Sequence, residues 1–153
     1  MDLIKAGDVA PDFTLQDNLE NDVKLSGFKG KKVLLSWHPL AWTSVCLDQM
    51  RSLERNMGAF RKLNAIPLGL SVDPQPSKQI WADVLKLEEL RILSDFWPHG
   101  KTAMDYGLFI EEYGISQRAN VIVDENGVVR WVKVYPLSQL PDIDEVLKVL
   151  SEI

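Results

Sequence analysis

The stretch from Ser36 to Met50 reads S-W-H-P-L-A-W-T-S-V-C-L-D-Q-M and holds the only cysteine of the chain, Cys46. The residues leading into it, Lys32-Val33-Leu34-Leu35-Ser36-Trp37, form a short apolar run suited to a buried strand. Pro39 ends that strand and bends the chain, because proline has no N–H to give a sheet ladder. Thr43 or Ser44 offers a hydroxyl to cap a helix. From there the apolar residues fall at Cys46, Met50, Leu53, Met57 and Phe60, steps of four and three that draw one stripe along a helix reaching about Asn64. The reading is strand, bend, helix, with a thiol in the first helical turn.

That placement has chemical consequences. A helix start presents unpaired N–H groups and partial positive charge, and both favour a thiolate over a thiol. An ordinary thiol, with a pKa near ~8.5, is only about 3% ionised at pH 7. Full ionisation therefore multiplies the nucleophile by roughly thirtyfold, and intrinsic nucleophilicity falls as the thiolate becomes more stable. A thiol built for catalysis also needs groups that place the electrophile and stabilise departing charge.

Outward from this stretch, Phe13-Thr14-Leu15 and Val23-Lys24-Leu25 are strand candidates joined by turn residues, including Asp17-Asn18 and Glu20-Asn21-Asp22. On the other side, residues 66–72 read as a strand, weakened by Pro67 and Gly69. Ser77 to Leu87 is helical by pattern, with Ile80, Val84 and Leu87 on one face. Arg91 to Ser94 is a short strand and Lys101 to Tyr106 a short helix. The β-rich runs 119–123 and 128–134 flank Asp124-Glu125-Asn126-Gly127, a hairpin signal. Pro141 to Ile153 closes the chain as a helix. Strands alternating with helices, then a hairpin and a last helix, indicate an α/β layered fold.

The 153 residues are expected to form one domain, residues 1–153, with a net charge of −5. The one short basic run, Lys29-Gly30-Lys31-Lys32, reads as a solvated turn, which argues against nucleic acid. No apolar run approaches membrane length. A lone cysteine excludes an internal disulfide framework and suggests a reducing cytoplasm. His38 and His99 form no recognised metal-ligand spacing with Cys46, so no metal site is expected.

Pro39, Thr43 and Cys46 match P-x-x-x-T-x-x-C, and through this motif the chain resembles the peroxiredoxins (the alkyl hydroperoxide reductase/thiol-specific antioxidant proteins). Gln49 stands where that family has Glu or Gln. Ala10-Pro11-Asp12-Phe13-Thr14-Leu15 looks like the family's opening A-P-D-F-x-L. Ser71-Val72-Asp73 with Trp81, Leu93-Ser94-Asp95, Tyr106-Gly107, and Gly114 with 118–124 resemble its later landmarks. Ser44 departs from a common proline and Trp37 from a common phenylalanine. With no second cysteine, the chain resembles the one-cysteine type.

The resemblance implies a thioredoxin-like fold, a central mixed sheet flanked by helices with an N-terminal β extension. It implies a thiol-dependent peroxidase that acts on hydrogen peroxide or organic hydroperoxides without metal, haem or flavin. Cys46 would attack the peroxide. The Thr43 hydroxyl would hydrogen-bond thiolate and substrate, Arg118 would hold the thiolate and the peroxide oxygen, and Pro39 would shield the site. Gln49 lies one turn along from Cys46. His38 is expected to wall the site mouth. Trp42 and Trp81 are expected either in the core or near the site and a dimer face. An external thiol, of the thioredoxin, glutaredoxin or low-molecular-weight kind, would restore Cys46, and a homodimer is expected. The rival readings are a thiol–disulfide oxidoreductase, which normally needs C-x-x-C, and a redox sensor or chaperone without turnover.

Overall fold

The computed structural model describes residues 2–153. Its main sheet contains β1 (Thr14–Asp17), β2 (Asp22–Lys24), β3 (Lys32–Trp37), β4 (Ala65–Ser71), β5 (Arg91–Ser94), β8 (Arg118–Val123) and β9 (Val129–Tyr135). A separate two-residue pair, β6 (Phe109–Ile110) and β7 (Ile115–Ser116), forms a small antiparallel ladder. The helices are α1 (Ser44–Arg55), α2 (Met57–Lys62), α3 (Gln75–Leu85), α4 (Lys101–Asp105) and α5 (Ile143–Ser151). Strand order is β2-β1-β5-β4-β3-β8-β9. The β3–β4 and β4–β5 ladders are parallel and the others antiparallel, so the sheet is mixed. The N-terminal hairpin extends the sheet through β5.

Side-chain alternation along β3 divides the core. Val33, Leu35 and Trp37 join one apolar cluster, with Leu68, Leu70, Val121 and Tyr106. Leu34 joins the other, with Cys46, Met50, Leu53 and Phe60 from the helical layer and Ile92 and Ile122 from the sheet. Ser36 follows Leu34 by two, so it faces α1 beside Cys46.

Three elements differ from the sequence reading. The helix expected to run to Asn64 breaks at Asn56, where the side chain donates from Nδ2 to the Ser52 carbonyl at 2.7 Å and α2 begins afresh. Such local bonding competes with the backbone ladder. The strand weakened by Pro67 and Gly69 is central. Pro67 is tolerated because β5 begins only opposite Leu68, so the proline precedes the two-sided part of β4. Gly69 suits the packing, since a Cβ there would lie 2.5 Å from Met50 Sδ and 2.9 Å from Ile92 Cγ2 and one of them would have to shift.

The third difference is in α3. Ile80 and Val84 are 56% and 53% exposed, while Lys78, Trp81, Ala82 and Leu85 are buried. The helix turns the stripe at 78, 81, 82 and 85 inward, with a lysine at its head.

Candidate active site

The register of β8 on β3 assembles the site. Trp37 pairs with Ala119 and Ser36 with Asn120, so Arg118 falls just beyond the end of β3, at the bend that leads to α1. Arg118, Asn120 and Ile122 share the face that meets α1. Cys46, in the first turn of α1, is fully buried.

Arg118 Nη1 donates to Cys46 Sγ at 3.4 Å and to Gln49 Oε1 at 2.6 Å. Its Nε and Nη2 donate to the Leu137 carbonyl at 3.1 and 2.7 Å. These bonds fix the guanidinium plane. Gln49 is fixed in turn, donating from Nε2 to Ser36 Oγ at 2.8 Å and to the Trp37 carbonyl at 3.1 Å. A glutamine that gives both protons to the strand can only offer its oxygen to the arginine. Gln49 therefore couples the end of β3 to Arg118, and Arg118 to the thiol.

Pro39, Leu40, Thr43, Ser44, Val45, Arg118 and Leu137 line an open hollow of about 220 Å³ at this end of the sheet. Cys46 lies immediately behind its wall, next to Val45 and against Arg118. Pro39 is buried along that wall. Thr43 occupies the N-cap position with extended backbone, but its side chain makes no cap hydrogen bond. Its hydroxyl donates to the Leu40 carbonyl at 2.8 Å, so the expected bond to the thiolate is absent here. The hydroxyl oxygen keeps lone pairs free to accept.

His38 is not a wall of the mouth. It is completely buried, with its ring packed on Trp81 at 5.5 Å between centroids and its Nε2 3.2 Å from Lys78 Nζ. Burial, then the charges of Lys78 and Arg118, hold it well below the usual imidazole range, and the Ser36 carbonyl offsets only part of this. His99 lies elsewhere, edge-on to the exposed Phe96 and Trp97. Trp81 is core. Trp42 is half exposed and donates from Nε1 to Ser77 Oγ on α3 at 3.0 Å.

Two polar residues at this site were given no role there by the sequence reading. Asp73 accepts the Ala41 N–H at 2.8 Å and the Ser71 hydroxyl at 2.6 Å, which ties the bend to the end of β4. Lys78 is buried beneath His38. Its signal was present, because 78, 81, 82 and 85 follow the i, i+3, i+4, i+7 template. A lysine at the first position hid the stripe behind the competing one at 80, 84 and 87.

The geometry defines a class of protein: a mixed-sheet α/β fold whose single buried thiol, at a helix start, is held against a fixed arginine. Comparison with known sequences and structures agrees with it. A profile of the AhpC/TSA family matches residues 6–132, and the chain belongs to that family. It is 36% identical over 141 residues to alkyl hydroperoxide reductase E of Mycobacterium tuberculosis, covering 92% of each chain. It is 33% identical to peroxiredoxin-2 of Bos taurus, covering 95% of this chain and 76% of that one. The structure of the reduced 2-Cys peroxiredoxin of Plasmodium vivax is similar with a TM-score of 0.87 at 29% identity, over 95% of this chain and 79% of that one. The fold is thioredoxin-like, and the protein is a thiol-dependent peroxidase; its single cysteine fits a one-cysteine mechanism.

Proposed function

We propose that Cys46 carries the peroxidase reaction alone, with Arg118 as its charge partner and an external thiol as reductant. The observation that carries this is the 3.4 Å contact of Arg118 Nη1 with Cys46 Sγ in a fully buried setting. The thiolate attacks one peroxide oxygen. An S–O bond forms, the O–O bond breaks, and sulfur loses two electrons to the peroxide. The departing hydroxide or alkoxide takes up a proton, leaving Cys46 as a sulfenic acid. A fixed guanidinium beside the sulfur stabilises both the thiolate and the charge that develops on oxygen. Pro39 shields the site, and Thr43 stands at the hollow with lone pairs that can accept from a peroxide O–H. Gln49 supports Arg118. A first external thiol then displaces water from the sulfenic acid to give a mixed disulfide, and a second restores Cys46.

A homodimer fits the surface at this end of the molecule. Leu40 and Trp42 are exposed, although Ala41, expected beside them, is buried. Ile80 and Val84 extend the apolar surface along α3. Light scattering at micromolar concentration tests this, and a monomer refutes it. The single unpaired thiol suits a reducing cytoplasm.

The decisive experiment is Cys46→Ser, assayed with hydrogen peroxide and an organic hydroperoxide against several thiol reductants. Loss of turnover in a folded variant is expected. Turnover retained in that variant refutes the assignment, and a wild-type protein that oxidises once without turnover favours a sensor.

A further inference from the structure

The mechanism above leaves one buried cation unused. Lys78 has no exposed surface. Its Nζ has a single hydrogen-bond partner, His38 Nε2 at 3.2 Å, and among the described residues it forms no salt bridge. An ammonium has three protons to donate, and a buried charge with one neutral partner depends on more distant anions. Three act on it, Asp73 after β4, Cys46 on α1 and Asp95 after β5, and Trp81, three residues after Lys78 on the same face of α3, shares one buried cluster with Cys46. His38, after β3, faces it as a neutral ring, and Arg118 of β8 acts on that ring from another side.

Both carboxylates are committed to backbone. Asp73 accepts from Ala41 N–H, and Asp95 accepts from the N–H groups of Thr102 and Ala103 at 3.0 and 2.9 Å. Peroxide alters neither of them, although burial raises Asp95 above the usual carboxylate range, offset in part by its bonds to Ala103 and Thr102. The Cys46 thiolate is the one anion of the three that the reaction destroys.

We propose that Lys78 is the buried counter-cation of the Cys46 thiolate and gives up its proton when peroxide removes that thiolate's charge. This rests on Cys46 being the thiolate that peroxide oxidises, and adds what happens to the charge left behind. Thiolate, peroxide and lysine ammonium become sulfenic acid, water or alcohol, and neutral lysine amine. The S–O bond forms, the O–O bond breaks, and the leaving oxygen takes one proton, matched by the one Lys78 gives up. Coupling is reciprocal, so the thiolate favours the ammonium by as much as the ammonium favours the thiolate. Lys78 touches no substrate. It is a positioning residue that acts through charge. Burial brings it down to about 7, where a lost anion changes its protonation near neutral pH.

The test counts protons. Wild type and Lys78→Met are oxidised with one equivalent of hydrogen peroxide near neutral pH in weak buffer, with a pH indicator. Sulfenic acid is counted in parallel as the dimedone adduct by intact mass. Near pH 6.5, where a fall of about one pH unit from about 7 releases most, wild type is expected to take up about half a proton fewer per sulfenic acid than Lys78→Met, once the thiolate fraction of each reduced protein, read by its absorbance, is allowed for. Equal uptake by the two proteins overturns the proposal while the adduct keeps the peroxide reading intact. Absence of the adduct in wild type overturns both. A measurement on the unmutated protein stands beside it. The Lys78 Cε resonance, titrated before and after oxidation, is expected to move its midpoint down by about one pH unit, a tenfold change in proton affinity. An unchanged midpoint refutes the proposal.

Discussion

Replacing Lys78 by methionine should make the protein more stable at neutral and acid pH, and less stable at high pH. The lysine stem and a methionine have similar length, so the site keeps its packing. Burial lowers Lys78 from an ordinary 10.5 to about 7 in the folded chain. At about 1.4 kcal/mol per pH unit, the folded state carries a penalty of about 5 kcal/mol when both states are protonated. That penalty is complete below about pH 6. Between about 7 and 10.5 the unfolded chain holds a proton that the folded chain does not, so the penalty fades as pH rises and is gone above 10.5.

The substitution also removes the 3.2 Å bond to His38 Nε2, and a buried ring nitrogen left without a partner costs about 1–3 kcal/mol. The net is a gain of about 2–4 kcal/mol at pH 6, or roughly 10 °C in Tm for a domain of this size. At pH 10 the variant should be the less stable by roughly 1 kcal/mol. Urea unfolding of both reduced proteins from pH 6 to 10 gives the difference, because titrating groups that do not interact with Lys78 cancel. A difference that is flat with pH, or a variant less stable throughout, refutes the reasoning.

Other outcomes follow from the same geometry. Arg118→Ala removes the cation on Cys46 Sγ and the partner of Gln49 Oε1. It should cut the second-order rate with peroxide by about 10²–10³-fold and lower the thiolate absorbance at neutral pH; an unchanged rate would place Arg118 outside the chemistry. Gly69→Ala forces a methyl against Met50 Sδ and Ile92 Cγ2, and denaturant unfolding should show a loss of about 1–3 kcal/mol. Wild-type stability there would mean that the core beneath α1 yields freely. One equivalent of peroxide should leave a persistent, dimedone-reactive sulfenic acid at the buried Cys46, and excess peroxide should carry it to sulfinic acid. A Cys46–Cys46 disulfide dimer as the main species on a non-reducing gel would refute the external-thiol route.

The elements carrying strong local signals were legible in the sequence. The apolar run 32–37 is β3 to the residue, and Arg91 to Ser94 is β5. The stripe drawn at Cys46, Met50, Leu53, Met57 and Phe60 is buried except at Met57, which is partly exposed, because helical periodicity needs no partner to be visible. The thiol's place in the first turn of α1 came from the same pattern and from the proline and threonine before it. Those elements determined the kind of chemistry available.

What tertiary structure alone decided were the pairings. Arg118 meets Cys46 across 72 positions, and no local pattern specifies that distance. The ladder between β3 and β8 does. Pro67 and Gly69 argued locally against a central strand, and the start of β5 and the bulk of Met50 overrode them. The hydroxyl of Thr43, read as a cap and a ligand, was claimed by the Leu40 carbonyl that the bend brings within 2.8 Å. His38 was read as a surface wall because of its neighbours in sequence, yet α3, packed against β5 and β1, buries it on Lys78 and Trp81. In α3, two stripes competed and the more apolar one lost. Which face of a helix turns inward depends on what awaits it there, and here an imidazole and distant anions made room for a lysine.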